Sequence, residues 1–156
     1  MIIKNLKRFL PLLLLLLVAC KSSKTHQDVL VLSSPAGPAF NADSAFSYCQ
    51  AQCDFGPRTM NSAAHDQCEA WIIKQFQQFG CQTVTQKTVL QGYDGTALNS
   101  TNIIASTQPD NTTRVMLCAH WDSRPWADND PDERNWKTPV MAANDGASGV
   151  AVMLEL

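Results

Sequence analysis

The segment Val115-Met-Leu-Cys-Ala119-His120-Trp121-Asp122 constrains this chain more than any other. A continuous apolar run, entered from a turn, suits a strand buried on both faces. The run stops at a histidine and an aspartate two positions apart, and strand alternation points both side chains the same way. A second segment, Ala142-Ala-Asn-Asp145-Gly146-Ala-Ser148-Gly149, follows a long loop and leads into the apolar run Val150-Ala-Val-Met-Leu154, which reads as a helix. Open α/β sheets gather their ligand groups at the C-terminal ends of strands. A strand-end His-x-Asp and a carboxylate at a following helix start can therefore converge there.

Such convergence makes a pocket of imidazole nitrogen and carboxylate oxygen. These are the usual non-thiolate ligands of zinc, and catalytic zinc commonly keeps three protein ligands and one open position. His120 and Asp145 are the candidate metal ligands. Asp122 either joins them or takes the other N–H of the imidazole and orients it.

The chain opens on an export signal. Lys4, Lys7 and Arg8 precede an apolar core that ends in Leu17-Val-Ala-Cys20. The apolar stretch from Phe9 to Cys20 is short of the roughly 18 to 20 residues that a spanning helix needs. The final tetrad resembles the bacterial lipobox, in which Cys20 becomes the lipid-modified first residue of the mature chain; an ordinary cleaved signal with an incidental cysteine is the other reading. Residues 1–19 are thus a lipoprotein signal, and residues 20–40, rich in Ser, Pro, Lys and Gly, a flexible tether. The expected location is the bacterial cell envelope, lipid-anchored and facing the periplasm or the outer surface. Residues 20–156 keep nine basic and all fourteen acidic residues, a net charge of −5. That balance, with no basic cluster, excludes nucleic acid as a partner and leaves membrane attachment to the lipid.

Residues 41–156 form the folded part, whose 116 residues are few for a sheet covered on both sides. Phe46, Cys49 and Cys53 have helical spacing, with Asn41, Asp43 or Ser44 as N-cap. Gly56-Pro57 ends that helix, and Arg58 follows in a turn to which no catalytic role is given. Ala64, Cys68, Ile72, Phe76 and Phe79 form a stripe with Gly80 at the C′ position, predicting a helix over residues 62–79. His65 lies one position off the stripe, as a solvated or partly buried residue and not a ligand. Strands are expected at 82–90, 102–106 and 114–120, and the short links between them predict antiparallel neighbours.

Five cysteines remain beyond Cys20. An oxidising compartment makes a disulfide plausible, with Cys118 the free thiol of a buried strand and Cys68 pairing with Cys81 or either with the first helix. Cys49 and Cys53 lack a second pair at matching spacing and are not read as a zinc site. Residues 121–139 contain three tryptophans and five acidic residues, a composition that suits a pocket wall. Trp121 and Trp126 are its substrate-pocket candidates. Asp128, Asp130 and Asp132 imitate the start of a calcium loop, but Glu133 and Pro139 occupy the positions of its glycine and final glutamate, so a surface turn is expected.

Phe55-Gly-Pro-Arg58, Asn102-Ile-Ile104, His120-Trp-Asp-Ser-Arg-Pro-Trp-Ala-Asp128 and Ala143-Asn-Asp-Gly-Ala-Ser-Gly149 occur in an order and spacing that resemble the co-catalytic zinc aminopeptidases, and within them the animal-type glutaminyl cyclases also found in bacteria. The resemblance runs from about Phe55 to Leu156. It implies an α/β fold, a three-layer α/β/α zinc exopeptidase with a mixed sheet, of which only the N-terminal half is present. Asp145 matches the aspartate that binds zinc in both branches. His120 matches a ligand of the second zinc in the peptidases, while the single-zinc cyclases keep a similar histidine without ligating through it. Asp122 matches the active-site carboxylate that orients this histidine. The peptide after the Asp145 equivalent can be cis in the family.

The resemblance further implies an acid/base glutamate, another carboxylate ligand and a late histidine ligand beyond Leu156. Glu155 is no stand-in, because ten helical positions put it about 15 Å from Asp145 along the axis. The chain ends inside a helix, as a truncated reading frame would, and residues 1–156 alone are expected to bind zinc poorly and catalyse nothing. For the complete protein the resemblance implies a zinc-dependent glutaminyl-peptide cyclotransferase acting on peptide or protein N-termini, with one Zn2+. The alternatives are an aminopeptidase, with two, and a lipid-anchored binding module without chemistry.

Overall fold

The computed structural model describes residues 37–156, so the signal, Cys20 and most of the expected tether lie outside the described residues. Its first element is set by a cap. Asn41 is extended, and its side-chain oxygen accepts from the backbone N–H groups of Asp43 and Ser44, both at 3.1 Å. Helix α1 (Ala42–Asp54) follows. The Asn41 N–H itself donates to Glu155 Oε1 at 3.0 Å. The inward stripe of α1 is Ala45, Tyr48, Cys49 and Gln52, and Phe46 is 71% exposed. This corrects the stripe read from hydropathy. A polar residue, Gln52, fixes the buried face through its hydrogen bonds, and one position along a helix turns a side chain by about 100°.

Ser62 caps α2 (Ala63–Gln78) by accepting from the His65 N–H at 3.1 Å. At its end the Gly80 N–H reaches Gln77 O and the Cys81 N–H reaches Phe76 O, both at 3.0 Å. This is a Schellman closure, made possible by the positive φ of Gly80. The chain turns directly into β1 (Gln82–Gln91) and β2 (Ala97–Ser106), an antiparallel pair with Gln82 opposite Ser106 and Gln91 opposite Ala97. Between them, Asp94 accepts from the Thr96 N–H at 3.0 Å, and that bond holds its carboxyl below the ordinary value. Asn61, in the left-handed region, extends the hairpin edge by donating to Ala97 O and accepting from the Asn99 N–H.

The second strand therefore starts five residues earlier than expected, and the third does not form. Residues 114–120 make no ladder among the described residues, and Val115 and Met116 are 86% and 84% exposed. An apolar run has the composition of a strand but becomes one only when a neighbour takes its N–H and C=O groups. The expectation that Cys118 is buried fails with that strand, since its thiol is exposed. All five cysteines among the described residues are free, so none of the expected disulfides is formed.

After a loop with a 3-10 turn at Glu133–Asn135, the chain enters a π-type turn, Ala143–Ala147, and then α3 (Ser148–Glu155). The core is where α2 and α3 meet: Cys68, Ile72, Val150 and Leu154, with Trp71, Phe76, Ile103 and Trp121 against them. Helix α1 lies along α3 and the π-type turn. The α/β class stands, with a two-stranded sheet among the described residues. No helix of the described residues is long and apolar enough to cross a membrane.

Candidate metal centre

The two segments singled out in the sequence meet. His120 Nε2 lies 3.0 Å from Asp145 Oδ1, and both side chains are more than half exposed. The other ring nitrogen, Nδ1, is 3.2 Å from the backbone carbonyl of Asp122 and 3.5 Å from that residue's carboxylate. The carbonyl is within hydrogen-bond distance and the carboxylate is beyond it. Asp122 thus orients the histidine through its main chain first.

Gly146 explains how the ring and the turn come so close. Its φ is +104°, and a Cβ there would stand 3.0 Å from Asp122 O, 3.0 Å from His120 Cε1 and 3.2 Å from His120 Nδ1. Only glycine leaves that space. No cis peptide occurs among the described residues, so the peptide following Asp145 is trans. Gly149 packs as tightly, since a Cβ there would lie 2.9 Å from Ala119 Cβ.

The Asp145 turn is held from behind by side chains that donate to its carbonyls. Arg58 reaches Ala142 O at 3.0 Å, the Cys49 thiol reaches Ala143 O at 3.3 Å, and Gln52 Nε2 reaches Ala147 O at 3.0 Å. Burial, with Cys53 next, pushes the Cys49 thiol up and keeps it a protonated donor. Sequence reasoning gave these three residues no part in the site. The signal open to it was a lone arginine after a Gly-Pro turn with no acidic neighbour.

Trp121 is turned inward. Its ring stacks on His65 at 4.0 Å between centroids, its indole N–H donates to Thr101 O at 3.3 Å, and it borders the core. His65 is buried beneath it, more deeply than the solvated or partly buried place that an off-stripe position suggested. Trp126 is half-exposed and meets Tyr93, at the hairpin turn, edge to face with centroids 6.1 Å apart. The acidic run behaves as a surface turn: Asp128 pairs with Arg124 and Asp132 with Arg134, and the latter pair holds the Asp132 carboxyl below its ordinary value.

Zinc fits the donors that converge. Two ligands at about 2.0 Å from one tetrahedral zinc lie roughly 3.3 Å apart, close to the observed imidazole-to-carboxylate separation. The described residues bring together no group of three or more His, Cys, Asp or Glu that could hold a metal. His120 and Asp145 are the two donors that converge.

Residues 102–156 match Peptidase family M28. Among curated proteins none matches the chain. Solved structures similar over 76% of it include a leucine aminopeptidase precursor from Bacteroides thetaiotaomicron (49% identity, TM-score 0.74), a glutaminyl cyclase of the same organism bound to N-acetylhistamine (49%, 0.74), and the glutaminyl cyclase of Tannerella forsythia (45%, 0.75). The chain spans 41%, 40% and 40% of their respective lengths. In sequence and fold this chain is thus similar to Peptidase family M28 over residues 102–156, and to a leucine aminopeptidase precursor and bacterial glutaminyl cyclases over 76% of its length.

Proposed function

We propose that the whole protein is a zinc-dependent glutaminyl-peptide cyclotransferase, closing an N-terminal glutamine into pyroglutamate with release of ammonia. The observation that carries this reading is the likeness to two bacterial glutaminyl cyclases, 49% and 45% identical over 76% of this chain, in which range His120 and Asp145 come together. Zinc, when bound, supplies a Lewis acid that polarises the side-chain amide of the substrate glutamine. Asp145 would hold it, with His120 beside it as a neighbour in a single-zinc cyclase and as a ligand of a second zinc in the peptidase reading. The Asp122 carbonyl stands 3.2 Å from Nδ1, where it would accept that nitrogen's proton and fix the ring beside Asp145. In the reaction the α-amine nitrogen bonds to the amide carbon, the amide nitrogen leaves as ammonia carrying the amine's proton, and no water is consumed. Trp126, exposed beside Tyr93, is the aromatic available to a peptide N-terminus, whereas the ring of Trp121 is committed to His65 and the core.

An aminopeptidase is the second reading, supported by the family M28 match over residues 102–156 and by the similarity to a leucine aminopeptidase precursor. The two are separated in the whole protein by zinc per chain, together with the products from an N-terminal glutaminyl peptide. One zinc with ammonia and no freed amino acid supports the cyclase. Two zincs with freed N-terminal residues overturn it, and neither product leaves a binding module. The 156 residues alone, with two converging donors, are expected to bind zinc weakly and to lack activity. The tetrad Leu17-Val-Ala-Cys20 supports a lipid on Cys20 and attachment within the bacterial envelope, which radiolabelled fatty-acid incorporation into wild type but not Cys20→Ala would test.

A further inference from the structure

Arg58 is fully buried, and among the described residues no carboxylate pairs with it. Its guanidinium instead donates to four backbone carbonyls: Nε to Trp121 O at 3.1 Å, one terminal nitrogen to Gln52 O at 3.2 Å and Gly56 O at 3.3 Å, and the other to Ala142 O at 3.0 Å. A buried cation without a counter-charge is costly, so a site that keeps one uses its geometry. The planar fork of five donors is that geometry. Two of the four carbonyls belong to the two segments of the metal centre. Trp121 stands between His120 and Asp122, and Ala142 opens the turn that carries Asp145. The backbone carbonyl of Arg58 also accepts from the Ser123 N–H at 3.0 Å, so Arg58 grips the chain on both sides of Asp122. Ala142 has φ 54° and ψ 49°, a left-handed conformation unusual for alanine, and its carbonyl ends on the guanidinium.

We infer that Arg58 is a positioning residue of the metal centre: by bridging Trp121 O to Ala142 O, it sets the distance at which His120 and Asp145 face each other. The inference rests on the reading that Asp145 holds zinc with His120 beside it. A lysine in its place keeps the charge but gathers its three donors on one nitrogen, which cannot serve four carbonyls spread around three.

The test uses the whole protein with Arg58→Lys and Arg58→Met, each characterised by urea unfolding and by competition for zinc with a chromophoric chelator. The visible spectrum of the cobalt-substituted protein and the His120 ring resonances of the zinc-free protein complete it. Loss of an outer-shell partner lowers metal affinity about 10- to 100-fold, and that loss is expected in both variants at temperatures where they remain folded. The cobalt bands and the His120 resonances are expected to move with it. Wild-type affinity with unchanged cobalt bands and unmoved resonances in a folded variant overturns the inference. Failure of both variants to fold even with excess zinc also overturns it, making Arg58 a residue of the fold alone. If the wild type itself binds no zinc, the metal reading fails, and the His120 resonances of the variants still decide whether Arg58 positions that ring.

Discussion

Replacing Gly146 with alanine tests whether the metal centre is built on a space that only glycine leaves. Two costs arise. A non-glycine residue at φ +104° sits outside the regions L-residues favour, at about 1 to 3 kcal/mol. The added methyl also meets the Asp122 carbonyl oxygen and the His120 ring at 3.0 Å, and overpacking of this kind costs about 1 to 3 kcal/mol. The smaller unfolded-state entropy of alanine returns about 0.4 to 1 kcal/mol. Since one shift of the turn relieves part of both costs, the net loss expected is about 2 to 4 kcal/mol. The carbonyl is main chain and gives little, whereas the imidazole is a half-exposed side chain and swings. That swing breaks the 3.0 Å approach of Nε2 to Asp145, so zinc affinity should fall about 10- to 100-fold as well. Urea unfolding at unchanged m-value measures the first quantity and chelator competition the second. A stability loss under about 1 kcal/mol with zinc affinity intact would refute the argument, because the turn would then accommodate a methyl group without moving the ring.

Asp122→Asn keeps the carbonyl that orients His120, so its effect on zinc affinity is expected at or below the lower end of the outer-shell range, about tenfold; a loss beyond a hundredfold, read by the same competition assay, would give the carboxylate the main role. Lys87 pairs with the nearly buried Glu69 at 2.9 Å, and Lys87→Ala should lower stability by about 1 kcal/mol, seen as a reduced urea midpoint. Burial pushes the Cys68 thiol up to about 12 from an ordinary 9.0, so the stability it contributes is complete below pH 9 and is lost as pH rises towards 12, which alkaline unfolding curves would show. At pH 8 a thiol reagent should therefore label the exposed Cys118 first and Cys68 last, an order that mass spectrometry of timed samples checks.

What could be read in the sequence was what local rules govern. Ser62, Gly80 and the Gly92–Gly95 turn act through neighbours within a few positions, and α2 and the hairpin follow from them. The meeting of His120 and Asp145 was legible because the two segments that carry them pair donor types a metal would use, whatever the details of packing. The strand at 114–120 was misread because hydropathy reports what a segment would bury and not whether a partner is present. Arg58, Gln52 and Cys49 were missed for the opposite reason. Their hydrogen bonds cross the chain to main-chain oxygens, and a carbonyl leaves no trace in residue identity. The inward face of α1, where Phe46 yields to Gln52, follows from the same unseen acceptors.

That choice of acceptors separates what the turn does from what spells it. Ala142, Ala143 and Ala147 are recognised through oxygens that every amino acid possesses, by donors 84, 94 and 95 positions away. As far as this hold is concerned, an exposed position such as 143 is free to drift. A change at 49, 52 or 58 alters the turn without touching it. In a mutational scan the intolerance should map to the glycines 146 and 149 within the motif and, outside it, to the neighbouring helix and its following turn, so part of what determines this loop would be found away from the motif by which it is recognised.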